Sequence, residues 1–265
     1  MQYLVLTMPE IAFAVNKLSQ CVSSPTMQHL IACKRVLRYL KSTQDYGLFV
    51  QNGEMKITEF TDADWACDLD DRKFVGPYCI YLGDNLISWS SKKQSVIARS
   101  SAESEYRALA SASAEISWLQ YLFSKIGLCC SEIPTVWCDN TSATELAHNP
   151  VCHSRTKHIE LDLHFIRNKV IAGELKIQYI PSEEQIADIM TKPLSFVNFN
   201  YLRSKLNVQP CPLSLRGAVK EVQYAELTES RSKKEKKLQS QSVKHFSNAS
   251  SSELVKQVAR SAQDC

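Results

Sequence analysis

The sequence predicts an α/β domain, and three observations carry that prediction. Residues 54–98 contain three consecutive strand-like runs. A long helical stretch follows them, closing at Gly127. After it, short apolar strands alternate with helical segments to about residue 194, giving the order βββ-α-β-α-α-β-α.

The first 50 residues read as helical. In "MQHLIACKRVLRYLKS", Leu30, Val36, Leu37 and Leu40 fall near helical spacing, with Lys34, Arg35, Arg38 and Lys41 between them. That basic face reads as solvated helix surface in preference to a phosphate contact. The strands are "EMKITEF", "GPYCIYLG" and "LISWSSKKQSVIA", and Gly83-Asp84-Asn85 between the last two is a hairpin turn. The helix "RSSAESEYRALASASAEISWLQYLFSKIG" opens on a capping pattern, Ser100 to Glu103. "IPTVWCD" is a short buried strand, and "NTSATELAH" and "KHIELDLHFIRNKVIAG" are helical. "ELKIQYIP" is the last strand. "SEEQIADIMTK" is a short helix with Ser182 as N-cap and Pro193 as stop.

Composition narrows the class further. The 265 residues, 44% hydrophobic and 22% charged, suffice for one sizeable core with appendages. A net charge of +3 fits a polyanionic partner without demanding one. Ten cysteines without a CxxC pair suggest neither a disulfide framework nor a zinc ribbon. "MQYLVLTMPE" lacks the basic start of a signal peptide, and no apolar run is long enough to span a bilayer. The expectation is an intracellular chain without membrane contact, cytoplasm and nucleus being equally compatible. From about residue 212 the chain turns Ser- and Lys-rich, as in "ESRSKKEKKLQSQSVKHFSNASSSE", and is expected to be disordered.

The chemistry of the chain lies in its carboxylates. "EFTDADWACDLDD" gathers Asp62, Asp64, Asp68, Asp70 and Asp71. Asp62 ends the first strand in register with Phe60, Asp64 is its substitute, and the others read as turn residues. On the long helix, at about 100° per residue, Glu105 shares a stripe with Leu109, Ala112, Ile116, Leu119 and Phe123. Such a carboxylate either meets a positive partner or frays to solvent, and the helix alone does not choose. Glu103 lies on nearly the opposite side, where it completes the cap and pairs with Arg107. Asp139 ends its strand, where sites collect, although by itself the plainer reading is that Asp139 or Asn140 caps the next helix. Asp188 by itself reads as surface. Taken together, four carboxylates from four elements suit two-metal phosphoryl chemistry, in which cations about 4 Å apart need several hard oxygens.

The stretches "TDADWA", "ISWSSKKQSVIARSSAESEYRALA", "CDNTSA", "RTKHIELDLHFIR" and "EQIADIMTKPL" together resemble the ribonuclease H domain of copia-type retrotransposon polyproteins. The resemblance covers roughly residues 1–219. It implies a ribonuclease H-like mixed five-stranded sheet flanked by helices, with an N-terminal helical segment. It divides the chain into a remnant of the reverse-transcriptase connection (1–50), a ribonuclease H-like domain (54–194), a polyprotein extension (195–219) and the disordered tail (220–265).

The implied reaction is hydrolysis of the RNA strand of RNA–DNA hybrids. Asp62, Glu105, Asp139 and Asp188 match the family's catalytic carboxylates. They would hold two Mg2+ ions, with Mn2+ as a substitute: one on Asp62, Glu105 and Asp139, the other on Asp62 and Asp188. Lys92, Lys93, Asn140, Arg155 and His158 are the expected substrate contacts. The implied partners are the hybrid and the reverse-transcriptase domain of an intact polyprotein. The family's histidine before the last helix is missing, since that connection is "PSEEQ". No Asp-Asp polymerase pair precedes residue 50, so no polymerase activity is expected. The rival expectations are a nucleic-acid-binding relic that cuts nothing, and a DNA-cleaving integrase or transposase of the same fold.

Overall fold

A central five-stranded sheet in the order β4-β3-β2-β5-β6 organises the computed structural model. Its strands are β2 (Ile57–Thr61), β3 (Val75–Leu82), β4 (Asn85–Lys93), β5 (Thr135–Cys138) and β6 (Lys176–Tyr179). The first three pair antiparallel, and β5 and β6 join parallel to β2 and to each other. A separate antiparallel pair is formed by β1 (Tyr46–Leu48) and β7 (Val208–Pro210). The helices are α1 (Ala12–Gln20), α2 (Met27–Ser42), α3 (Ser101–Lys125), α4 (Thr141–His148), α5 (Glu160–Ile171) and α6 (Phe196–Lys205). The described residues are 2–211 except 66–72, 95–96, 99, 129, 131 and 149–158. The tail expected to be disordered lies outside them, as does the extension beyond residue 211.

The mixed sheet flanked by helices is the architecture the sequence predicts. One face carries Ile57, Ile80, Val136 and Ile177, packed against Leu109, Ile116 and Phe123 of α3 and Leu163 and Ile166 of α5. The opposite face carries Cys79, Tyr81 and Leu86, covered by Ala12, by Ile186, Ile189 and Met190, and by Leu202 of α6 and Leu206 at its C-cap. Each face therefore removes a continuous apolar surface from water, which is the main favourable term in holding the layers together. Polar ties fix the N-terminal segment to the sheet: Trp89 Nε1 donates to the Val5 carbonyl (2.7 Å) and Asn16 Nδ2 to the Ser91 carbonyl (2.6 Å). Among the described residues, no helix is long and apolar enough to cross a membrane.

The two ends of α3 form as their residues dictate. Ser100 Oγ accepts from the Glu103 N–H (3.2 Å), and Gly127 takes φ +77° just beyond the last turn. On α2 only Val36 is buried, while Leu30, Ile31 and Leu37 stay about half exposed. The segment 182–192, expected as one short helix, is instead two 3-10 turns, Ser182–Glu184 and Ile186–Met190. Gln185 between them is extended (ψ 103°), because its side chain is used elsewhere: Nε2 donates to the Thr61 carbonyl (2.9 Å) and Oε1 accepts from the Ala187 N–H. Tertiary hydrogen bonding thus interrupts what local propensity favours.

Two glycines have positional meaning. Gly83 turns the β3–β4 hairpin at φ +60°, and an added Cβ would stand 2.8 Å from the Glu54 carbonyl oxygen. Gly83→Ala is therefore expected to cost about 1–3 kcal/mol, read as a lowered melting temperature with the circular dichroism of the fold retained. Gly76 lets β3 run close under α3, since a Cβ there would meet Ala108 Cβ at 3.3 Å. That close approach holds the first turns of α3 over the end of β2.

Candidate metal centre

Four elements deliver carboxylates to one end of the sheet. Asp62 follows β2, with its N–H donating to the Pro77 carbonyl at 3.4 Å. Glu105 projects from the second turn of α3, Asp139 follows β5, and Asp188 lies in the 3-10 turn Ile186–Met190. The parallel β2–β5 pairing puts the ends of those two strands side by side. One oxygen each of Asp62, Asp139 and Asp188 lies within 4.8 Å of the others, and Glu105, Cys138 and Asp139 form a second such group. Asp139 belongs to both, so the two groups are one cluster.

The cluster is largely withdrawn from water. Asp62 is 1% exposed, Glu105 6% and Asp188 8%. The stripe on α3 therefore points Glu105 inward, and it does not fray to solvent. Its carboxyl accepts from the Ala63 backbone N–H, yet Oε2 is buried with no hydrogen-bond partner among the described residues. Burial first, then the charges of Asp62 and Asp139, push the Glu105 pKa up to about 10. Burial and the Asp62 charge likewise raise Asp188 to about 7, and the same two causes raise Asp139. An orphaned buried oxygen and carboxylates resisting ionisation are what a cation would relieve. The donors are hard oxygens. Burial holds the neighbouring Cys138 thiol protonated, so it adds no soft anionic ligand.

The surroundings orient each carboxylate. Ser182 Oγ donates to Asp139 Oδ2 at 2.9 Å, from the same "PSEEQ" connection that lacks a histidine. Thr191 Oγ1 donates to Asp62 Oδ2 at 2.8 Å. Lys192 Nζ lies 2.7 Å from Asp188 Oδ1 and 3.4 Å from Asp62 Oδ2. Burial works against the Lys192 charge, but Asp62, Asp188 and Asp139 outweigh it, so its pKa is raised. Ser182, expected as a helix N-cap, makes no cap bond and donates to Asp139 instead, and neither Thr191 nor Lys192 stood out in the sequence. The signal available was Lys192 four residues after Asp188, a spacing at which opposite charges meet along a helical turn.

The remaining expected residues divide. Asn140, not Asp139, caps α4, with Oδ1 accepting from the Ala143 N–H at 3.0 Å. This leaves Asp139 to the cluster. Lys92 and Lys93 close β4, opposite Gly76 and Val75, and Val75 in turn bridges to Asp64. They thus stand at the same end of the sheet as Asp62, on its edge strand. Arg155 and His158 lie outside the described residues, as do His153, Asp68, Asp70 and Asp71. Glu103 is set apart from the cluster and pairs with Arg107 (3.1 Å), as its helix position predicts. It is nonetheless 4% exposed, and Arg107 also lies 3.9 Å from Asp162 of α5.

No family model matches the chain. The "Retrovirus-related Pol polyprotein from transposon RE2" of Arabidopsis thaliana is 46% identical over 221 residues, 83% of this chain and 15% of that protein. The "Retrovirus-related Pol polyprotein from transposon TNT 1-94" of Nicotiana tabacum is 38% identical over 192 residues, 72% of this chain and 14% of its own length. The chain thus spans about 15% of the length of these curated relatives. Among solved structures, the compost-derived LC11-RNase H1 has 20% identity and a TM-score of 0.38, covering 51% of this chain and 92% of its own. Identity at this level runs through most of the chain, and the mixed five-stranded sheet flanked by helices is the one expected from the sequence. The chain is homologous to a segment of the Pol polyproteins of copia-type retrotransposons, and its fold is the mixed, helix-flanked five-stranded sheet expected of it.

Proposed function

We propose that this chain hydrolyses the RNA strand of RNA–DNA hybrids, using magnesium held by its carboxylate cluster. The observation that carries the reading is the convergence of Asp62, Glu105, Asp139 and Asp188 in two groups joined at Asp139, with Glu105 Oε2 buried and without a hydrogen-bond partner among the described residues. Membership of the Pol family favours this nuclease reading over other uses of such a site. Asp62, Glu105 and Asp139 are the residues to hold the ion, with manganese as its substitute. Bound there, a divalent ion would supply an activated water and a counter-charge for the reacting phosphate.

The chain's own groups do the rest. Ser182 and Thr191 hold Asp139 and Asp62 in fixed orientations by donating to them. Burial of the cluster excludes bulk water and strengthens every charge interaction within it. Lys92, Lys93, Asn140, Arg155 and His158 contact the hybrid backbone, and RNA is selected by groove shape and the 2′-hydroxyl. Residues 54–194 are the nuclease domain, residues 1–50 the connection to a reverse-transcriptase domain in an intact polyprotein, and 195–219 an extension.

The test is an assay with labelled RNA–DNA hybrid. Magnesium is expected to support RNA cleavage, and Asp62→Asn to reduce it at least about 100-fold, the scale on which removing one electrostatic group of an active site acts. Hybrid binding without cleavage would replace this reading with that of an inactive relic. Cleavage of duplex DNA but not hybrid would replace it with an integrase-like activity.

A further inference from the structure

We infer that Lys192 is a built-in cation of this centre: its ammonium holds the position between Asp62 and Asp188, so that the site takes one divalent ion, on the Asp62–Glu105–Asp139 side, instead of two. The inference rests on the metal-centre reading above and deepens it.

The two sides of Asp62 differ in their electrostatic demand. On one side of Asp62, the buried Glu105 Oε2 has no hydrogen-bond partner among the described residues and feels the charges of Asp62 and Asp139, so electrostatic demand there is unmet. On the other side the demand is met. Lys192 Nζ is 2.7 Å from Asp188 Oδ1, and 3.5 and 3.4 Å from Asp62 Oδ1 and Oδ2. These are charge-assisted contacts to both carboxylates that a second ion would need.

The lysine is also held there by its place in the chain. Lys192 follows Asp188 at i+4, and its N–H donates to the Asp188 carbonyl at 3.0 Å. Neighbouring Thr191 donates to Asp62 from the same turn. The side chain is 37% exposed, so it reaches in from the rim with its stem at the surface and its ammonium on the carboxylates. A divalent ion entering between Asp62 and Asp188 would have to evict this ammonium, losing two ion pairs before gaining its own ligands. An ion entering beside Glu105 displaces no such cation. The ammonium then supplies a fixed positive charge for the phosphate, as a second metal would, while lacking any bound water to offer.

Manganese binding to the full chain tests this without reference to activity. The wild type is expected to bind one Mn2+ at saturation, with an electron paramagnetic resonance spectrum free of exchange coupling. Lys192→Met is expected to bind two, with a coupled spectrum from adjacent ions. Lys192→Arg, keeping a cation in place, is expected to bind one. Two coupled ions in the wild type would overturn the inference while leaving the metal centre intact, and this outcome needs no variant to fold. A Lys192→Met protein that folds by circular dichroism yet still binds one would overturn it equally. A wild type that binds no Mn2+ at all would instead remove the metal-centre reading on which the inference stands.

Discussion

Glu105→Gln is expected to abolish hybrid cleavage and, without divalent ions, to raise the melting temperature of the chain. The two effects have one cause. Glu105 is 6% exposed with one oxygen unpartnered, and its pKa stands at about 10 against an ordinary 4.5. At neutral pH the folded metal-free chain must either keep this carboxyl protonated or bury its charge. The unfolded chain ionises it freely. Between those two pKa values the native state binds more protons than the unfolded state, so stability falls as pH rises. Below pH 4.5 the group is protonated in both states and costs nothing. At pH 7 the cost is on the order of 3 kcal/mol. Glutamine, neutral at every pH, avoids it. In chelator, the variant should therefore melt higher than the wild type by several degrees at pH 7, and the gap should close toward pH 4.5. Glu103→Gln should do the reverse. Glu103 is buried against Arg107 at 3.1 Å, away from the cluster, so its charge is stabilising. Its loss should cost about 1–3 kcal/mol with cleavage retained by the folded fraction. Equal losses of cleavage in the two variants, or a metal-free Glu105→Gln protein that melts below the wild type, would contradict the assignment.

That contrast between Glu103 and Glu105 was legible in the sequence because helical periodicity is a local property. Two residues apart on one helix point in different directions whatever the rest of the chain does. The hairpin at Gly83, the cap at Ser100 and the helix end at Gly127 were legible for the same reason. What periodicity does not carry is burial by distant elements. Glu103 is 4% exposed although its helix position predicts a surface pair, and its partner Arg107 also reaches Asp162 on another helix. The 3-10 geometry around Asp188 depends on Gln185 reaching the Thr61 carbonyl across the sheet. Asp139 and Asn140 are equal candidates for the cap until the structure gives that role to Asn140. Lys192 stood in a recognised motif, but an i+4 pair with Asp188 looks the same on a solvated helix as in a buried cluster. Only Asp62, from a strand some 130 positions earlier, makes it part of the site. Glu59 was the least legible residue. It sits mid-strand in "EMKITEF", yet it is 0% exposed with neither carboxylate oxygen partnered among the described residues, and burial and then Glu115 hold its pKa well above the ordinary value.

Magnesium is expected to raise the melting temperature of the wild type and to do so through Asp139. An ion that binds only the folded chain stabilises it by mass action, by about 2.7 kcal/mol at one hundred times its dissociation constant. In the absence of metal, the cluster opposes folding: burial and the Asp62 charge raise the Asp139 pKa, and Asp139 in turn raises that of Glu105. Asp139→Asn removes one of these charges while its side-chain oxygen can still accept from Ser182 Oγ, now at 2.9 Å from Oδ2. The variant should therefore match or exceed the wild-type melting temperature in chelator, yet show little of the magnesium shift, because the ion has lost a charged ligand shared by both acidic groups. Asp84→Asn supplies the control, since Asp84 is exposed in the β3–β4 turn and should leave both the metal-free melt and the magnesium shift unchanged. Thermal melts of the three proteins, with and without magnesium, decide the matter. A full magnesium shift in Asp139→Asn would mean that the ion binds elsewhere. A metal-free Asp139→Asn protein melting well below the wild type would mean that the Asp139 charge is satisfied in the fold, and that the carboxylates do not strain one another as a single site must.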